Sequence, residues 1–138
     1  MKILIMGLPG SGKSTFAKKL VEDLSLLGKL AKWFNADQIR ESSNDWDFSA
    51  AGRERQAERM RNLAEDTIIM GRIAVCDFVC PTQKLRNLFD ADIVVWMDTI
   101  PSGRYEDTNK LFEEPTHYDY RITEKDSFPW TKVLADKI

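Results

Sequence analysis

The sequence predicts a three-layer α/β fold, a mostly parallel sheet of about five strands with helices on both faces. Three observations predict it. Apolar runs of strand length alternate with amphipathic stretches of helix length along the chain, and that alternation requires right-handed crossovers between parallel strands. The first run, KILIMG, reads as apolar on both faces, as a central strand covered on both sides must be. Where that strand ends, the glycine-rich turn MGLPGSGKST at residues 6–15 leads straight into a helical pattern.

In the first helix Phe16, Ala17, Leu20, Val21, Leu24 and Leu27 recur at three and four residues, and the pattern stops near Gly28. LAKWFNA predicts the second strand, followed by a polar loop and a long helix from about Ala50 to Met70 with Ala57, Met60, Leu63, Ala64, Thr67 and Ile68 on its inner face. RIAVCDF predicts the third strand, with a short helix after Pro81 carrying Leu85, Leu88 and Phe89. DIVVWMDT predicts the fourth. From Pro101 to Pro115 no period holds, so residues 100–117 are expected to form a lid-like mobile loop. YDYRIT is a short fifth strand, and Trp130, Val133 and Leu134 suit a closing helix.

The 138 residues suit one domain, and a 43% apolar, 30% charged composition is that of a soluble globular protein. A net charge of −2 offers no basic surface for long nucleic acid or an anionic membrane. Cys76 and Cys80 make no disulfide framework and suit a reducing cytoplasm; as metal ligands they would need histidines, and the lone His117 is distant in sequence. The apolar start is too short for a signal peptide, and no stretch would span a membrane.

Gly7, Gly10, Gly12, Lys13 and Ser14 fit the spacing GxxxxGK[ST]. In that pattern the backbone N–H groups of the turn surround a polyphosphate. Gly10 and Gly12 can take positive φ at little cost and let the main chain approach the phosphate oxygens. Leu8, Pro9, Ser11 and Thr15 complete the loop; Lys13 would reach the β- and γ-phosphates of ATP, and Ser14 would ligate Mg2+. The partial positive charge of the helix start adds to this.

Ligands of open parallel sheets sit beyond the carboxyl ends of the strands. That rule selects Asn35, Asp37 and Arg40 after the second strand, Asp77 after the third and Asp98 after the fourth. Phosphoryl transfer asks for positioning, positive charge on the γ-phosphate and a carboxylate for magnesium or for the acceptor hydroxyl. Asp77 is a metal anchor with Ser14, or else a helix N-cap or a surface aspartate; Asp37 faces the acceptor hydroxyl, or caps the turn DQIR. Arg40, Arg53 and Arg86 come from different segments, and their guanidinium forks could close on an anionic acceptor. Most of the arginines on the long helix alternate with glutamates and read as a solvated face. Phe48 and Phe78 could each stack on an acceptor base or pack in the core.

GLPGSGKST, NADQIR, DFSAAGRERQAERMR, DFVCPTQKLR and VVWMDT resemble, in this order, the blocks GLSGSGKST, DGDNVR, GFSxxDRxENIRR, FISPYRxxR and VYVDT of the adenylylsulfate kinases. The resemblance covers residues 2–99 and implies a phosphate-loop fold and transfer of the ATP γ-phosphate to the 3′-hydroxyl of adenylylsulfate. It implies that Asp37 and Arg40 match the second aspartate and the closing arginine of DGDNVR. Phe48 and Arg53 match the residues that contact adenylylsulfate, Phe78 and Pro81 the turn beside it, and Arg86 the later arginine of that block. Four positions depart from the pattern: Asn35 replaces the first family aspartate, Asp77 stands where serine is usual, and Gly52 and Gln56 replace Asp and Asn. Asp77 is therefore expected to supply the missing charge from the neighbouring strand. The family lid RDxKGLY is absent; SGRYEDTNKLFEEP stands there, with LFEEP resembling PYExP. Members are often homodimers. A kinase for another hydroxyl acceptor, such as a polynucleotide 5′-end or a small metabolite, and an ATP-binding protein with weak catalysis stay open beside this reading.

Overall fold

The first strand is apolar from Ile3 to Met6 because of its place in the computed structural model, which describes residues 1–138. Strand β1 (Lys2–Met6) lies at the centre of a five-stranded, all-parallel sheet, between β3 (Ile73–Asp77) and β4 (Ile93–Met97). The edges are β2 (Ala31–Asn35) and β5 (Tyr120–Ile122), giving the order β2-β3-β1-β4-β5. Its side chains alternate between two cores. Ile3 and Ile5 pack with Phe16, Ala17, Leu20 and Leu24 of α1 (Lys13–Leu26) and with Leu134 of α6 (Phe128–Lys137). On the opposite face, Leu4 and Met6 pack with Ala57, Met60 and Ala64 of α3 (Ala50–Ile69) and with Leu85 and Phe89 of α4 (Gln83–Phe89). Each such side chain taken out of water contributes about 1.5–3 kcal/mol, so both faces of this strand must stay apolar.

This is the expected three-layer phosphate-loop fold, with two local differences. The polar stretch after β2 is α2 (Ala36–Ser43), capped by the Asn35 side chain, which accepts from the Gln38 N–H at 3.1 Å. It ends at Asn44 in the left-handed region (φ 49°). The stretch expected to be a lid-like loop contains α5 (Glu106–Leu111). Six residues cannot display a 3.6-residue period, but Glu106 and Asp107 in the first turn and Lys110 in the last suit the helix dipole. No helix is long and apolar enough to cross a membrane.

The strand order reverses at β1. The chain runs from β1 to β2 on one side and from β3 across to β4 on the other, so the neighbouring strands β1 and β3 send their connections in opposite directions and open a crevice at the carboxyl end of the sheet.

Candidate active site

A cleft of about 840 Å3 occupies that crevice. Ligand sites run from about 300 to 1,000 Å3, so this one exceeds what a single phosphate group needs. One end is the turn between β1 and α1, where Pro9, Gly10, Gly12, Lys13, Ser14 and Thr15 line the wall. Gly10 and Gly12 take φ of 87° and 94°, the expected left-handed conformations. Gly7, Leu8 and Ser11 form the outer side of the turn: the Leu8 carbonyl accepts from the Lys13 ammonium at 3.0 Å, and the Ser11 carbonyl from Thr99 at 2.7 Å. Lys13 is 9% exposed. Burial pushes its ammonium down to about 8, against the opposing pull of the Asp77 and Asp37 carboxylates, and Arg104 adds to the lowering. A buried ammonium with that little anionic compensation favours an arriving polyanion.

Beside it, β2 and β3 hold Asn35 and Asp77 directly opposite one another in parallel register. Asp77 is the last residue of β3 and is buried; Thr82 caps α4, so the helix-cap alternative for Asp77 is excluded. Its Oδ1 accepts from the Ser14 hydroxyl at 3.2 Å, its Oδ2 from the Trp33 indole N–H, and the Asn35 amide lies 3.3 Å from both oxygens. The same amide reaches Ser14 Oγ at 2.9 Å. Burial raises the Asp77 carboxyl above the usual range, while the donors on Trp33, Asn35 and Ser14 and the Lys13 charge oppose the rise. Asp37 lines the cleft from the first turn of α2; Asn35 is the cap of that helix, so Asp37 is free of that role.

The other end is held by arginines. Arg40 is buried, and its Nη1 donates to the carbonyls of Asp45 and Asp47 at 2.9 and 3.2 Å. Phe48, 52% exposed, lies with its ring 4.3 Å from the Arg40 guanidinium and 5.3 Å from that of Arg53. Arg53 donates from Nε to the Phe48 carbonyl at 3.0 Å. All three line the cleft. Phe78 also touches it, but is 7% exposed and packs edge-on against Phe89 at 5.4 Å; of its two alternatives, the core reading describes it.

Arg86 requires a correction. It does not line the cleft: its guanidinium is buried and donates to the carbonyls of Cys80, Pro81 and Glu113, with its face 5.4 Å from the Phe112 ring. It therefore braces the turn after β3 against the segment that follows α5. Asp98 likewise lies outside the cleft, paired with Arg121 at 2.6 Å. On α3, Arg55 pairs with Asp45 and Asp47 and Arg59 with Asp45, so these two arginines tie the helix to the preceding loop and are not simply part of a solvated face.

Besides the apolar Ala36, Val79 and Leu85 and the Cys80 thiol, six residues with polar or aromatic side chains line the cleft without having been selected from the sequence: Trp46, Gln56, Arg104, Tyr105, Asp107 and Thr108. Trp46 had a signal, an aromatic two residues from Phe48 in a polar stretch, and the rings lie 6.5 Å apart. The last four come from the aperiodic segment, where spacing carries no information. Asn109 shapes that segment by pairing both ways with the Gly103 backbone at 2.7 and 2.9 Å.

Comparison with known proteins bears on this geometry. A family model described as adenylylsulphate kinase matches residues 1–99. An adenylyl-sulfate kinase of Phocaeicola vulgatus is 33% identical over 85 residues, 61% of this chain and 42% of that protein. Adenylyl-sulfate kinase 3 of Arabidopsis thaliana is 34% identical over 86 residues, 62% of this chain and 41% of that protein. The match thus spans about two-fifths of the length of these relatives. Among solved structures, the APS kinase CysC of Mycobacterium tuberculosis in complex with AMPPNP and APS has a TM-score of 0.78 at 21% identity, covering 99% of this chain and 93% of that one. A hexameric APS kinase from Thiobacillus denitrificans has a TM-score of 0.73 at 21% identity, covering 99% of this chain and 28% of that one. These two likenesses are of fold.

Proposed function

The chain belongs to the adenylylsulphate kinase family, and from that premise we propose that it transfers the γ-phosphate of ATP to the 3′-hydroxyl of adenylylsulphate. The observation that carries this reading is one continuous cleft with the phosphate loop at one end and Phe48, Arg40 and Arg53 at the other. A donor polyphosphate and an anionic aromatic acceptor then share one chamber, which is what in-line transfer requires.

Lys13 and the loop amides would stabilise charge on the transferring group. Asp37 would orient the acceptor hydroxyl and accept its proton, as the hydroxyl oxygen bonds to phosphorus, the bond to the β-phosphate oxygen breaks and ADP leaves. Phe48 would stack on the acceptor base, and Arg40 and Arg53 would hold its anionic end. Ser14 and Asp77 would hold Mg2+. Their oxygens, 3.2 Å apart beside the loop, are the hard donors that suit magnesium carried on a nucleotide. When bound, the ion supplies positive charge at the phosphate oxygens.

One observation favours a second reading, a different hydroxyl acceptor. Asp107 lines the cleft from the shortened segment, and its charge acts on Arg53. An acid there tempers the attraction for an anion. ATP consumption should be measured with adenylylsulphate and, separately, with a 5′-hydroxyl oligonucleotide. We expect a response to adenylylsulphate, and Lys13→Ala should reduce it at least about a thousandfold. A response to the oligonucleotide alone would replace the acceptor, and a Lys13→Ala enzyme as fast as the parent would remove the mechanism.

A further inference from the structure

The carboxylate of Asp77 is 2% exposed, and a buried carboxylate is costly unless each oxygen is met by a donor. Ser14 and Asn35 lie on the cleft side of the problem. Trp33 meets the other oxygen, and nothing in the phosphate-loop pattern calls for a tryptophan there. It sits on β2 two residues before Asn35, so both side chains project from the same face of the sheet. Register sets Trp33 opposite Val75 and Asn35 opposite Asp77. The indole therefore runs along the strand and delivers its N–H to Oδ2, while Oδ1 stays turned to Ser14.

We propose that Trp33 is a positioning residue for the magnesium site: its indole N–H fixes the rotation of the Asp77 carboxylate so that Oδ1 faces the Ser14 hydroxyl. The inference rests on the assignment of Ser14 and Asp77 to magnesium. Three features single out an indole for the task. Its N–H is a donor only, so it holds the carboxylate without taking a place at the ion. Its ring is anchored among the residues that α1 packs against, which ties the hydrogen bond to the helix that carries Ser14. The Asn35 amide, at 3.3 Å from both carboxylate oxygens, does not select between two rotations of the group; the Trp33 N–H does. Groups that orient a metal-binding carboxylate typically change metal affinity 10- to 100-fold when removed.

The test reads nucleotide binding, not turnover. AMPPNP affinity is measured by calorimetry with and without Mg2+ for the full chain, for Trp33→Phe, for Asp77→Asn and for the double variant. Magnesium should tighten AMPPNP binding to the parent, and Asp77→Asn should remove the tightening. Trp33→Phe should weaken the tightening about tenfold, leave magnesium-free affinity within about twofold, and add nothing to Asp77→Asn. Benzothienylalanine at position 33, with sulfur in place of the N–H, should reproduce the tenfold loss with the ring's packing kept, which covers the case of a poorly folded Trp33→Phe. Parent-like tightening in Trp33→Phe or in the isostere would overturn the positioning role alone. A parent that gains nothing from magnesium, or an Asp77→Asn protein that keeps the full gain, would instead overturn the magnesium assignment and this inference with it.

Discussion

The two ends of the cleft are built on different principles. At the phosphate-loop end nearly everything comes from nine consecutive residues, Gly7 to Thr15, and the working groups are main-chain amides with one ammonium and one hydroxyl. The opposite end is assembled from α2, the 44–49 loop, the start of α3, the turn after β3 and the 104–108 segment. Arginines hold these together: Arg40 donates to the carbonyls of Asp45 and Asp47 and Arg86 to those of Cys80, Pro81 and Glu113, while Arg55 and Arg59 pair with the Asp45 and Asp47 carboxylates. An arginine near an anion site can thus brace as well as bind: Arg86 lies outside the cleft with its donors on carbonyls, whereas Arg40 gives carbonyls its Nη1 alone and lines the cleft.

Arg86 gives the largest test of that difference. Arg86→Met leaves the Cys80 and Glu113 carbonyls without their donor at about 1–3 kcal/mol each, while the Pro81 carbonyl keeps the Glu113 N–H, so we expect a loss of about 3 kcal/mol, or roughly 10 °C in Tm. In calorimetry AMPPNP affinity should hold while the acceptor KM rises. An unmoved Tm with a raised KM would make Arg86 a ligand after all, and would erase the contrast between the two ends.

Next in size is Asn35→Asp. It would set two carboxylates side by side across β2 and β3, where like charges are disfavoured. Turnover should fall about thirtyfold, close to 2 kcal/mol. Exchanging the two residues, Asn35→Asp with Asp77→Asn, restores one carboxylate and one amide to the pair and should recover part of the loss. If the exchange is no better than Asp77→Asn alone, the carboxylate is needed on β3 in particular.

How much of this was legible in the sequence follows the same division. The phosphate loop, the five strands and the strand-end positions of Asn35 and Asp77 could all be read, because period and contiguity are local properties. The register that sets Asn35 opposite Asp77 could not be read from the residues alone, nor could the indole of Trp33 reaching Asp77, since both depend on how neighbouring strands align. Arg40, Arg53 and Arg86 were selected by residue type. Type does not reveal that Arg86 is spent on carbonyls while Arg53 faces the cleft. Segment 100–117 hid its helix and Arg104 because six residues show no period.

Gly52 shows the same long-range logic in a residue that looked like a plain departure from the family pattern. A Cβ there would stand 2.1 Å from the Asp47 carbonyl oxygen, which means that the 44–49 loop lies directly on the first turn of α3. Gly52→Ala must push that loop away, and the expected cost is about 1–2 kcal/mol in stability. Because Phe48 rides on the loop, acceptor KM should rise with it, and AMPPNP affinity should stay at the parent value. A shift in AMPPNP affinity of the same size would show the two ends to be mechanically coupled.

Phe48→Leu is the smallest and most selective change. The ring is half exposed and stands between two guanidinium groups at 4.3 and 5.3 Å, so it adds little to the core and owes its place to Arg40 and Arg53. Cation–π contacts of this kind contribute about 0.5–1 kcal/mol at exposed sites, and a stacked base adds about 1–3 kcal/mol. Leucine keeps the bulk and loses the π face. For adenylylsulphate as acceptor we expect KM to rise about fivefold, near 1 kcal/mol, with ATP KM unchanged and Tm within about 2 °C. An acceptor without a planar base should be indifferent to the substitution, so running the variant against both kinds tells what Phe48 touches. Equal losses with either acceptor would assign the ring to the loop's own packing, and the acceptor end would then rest on its arginines alone.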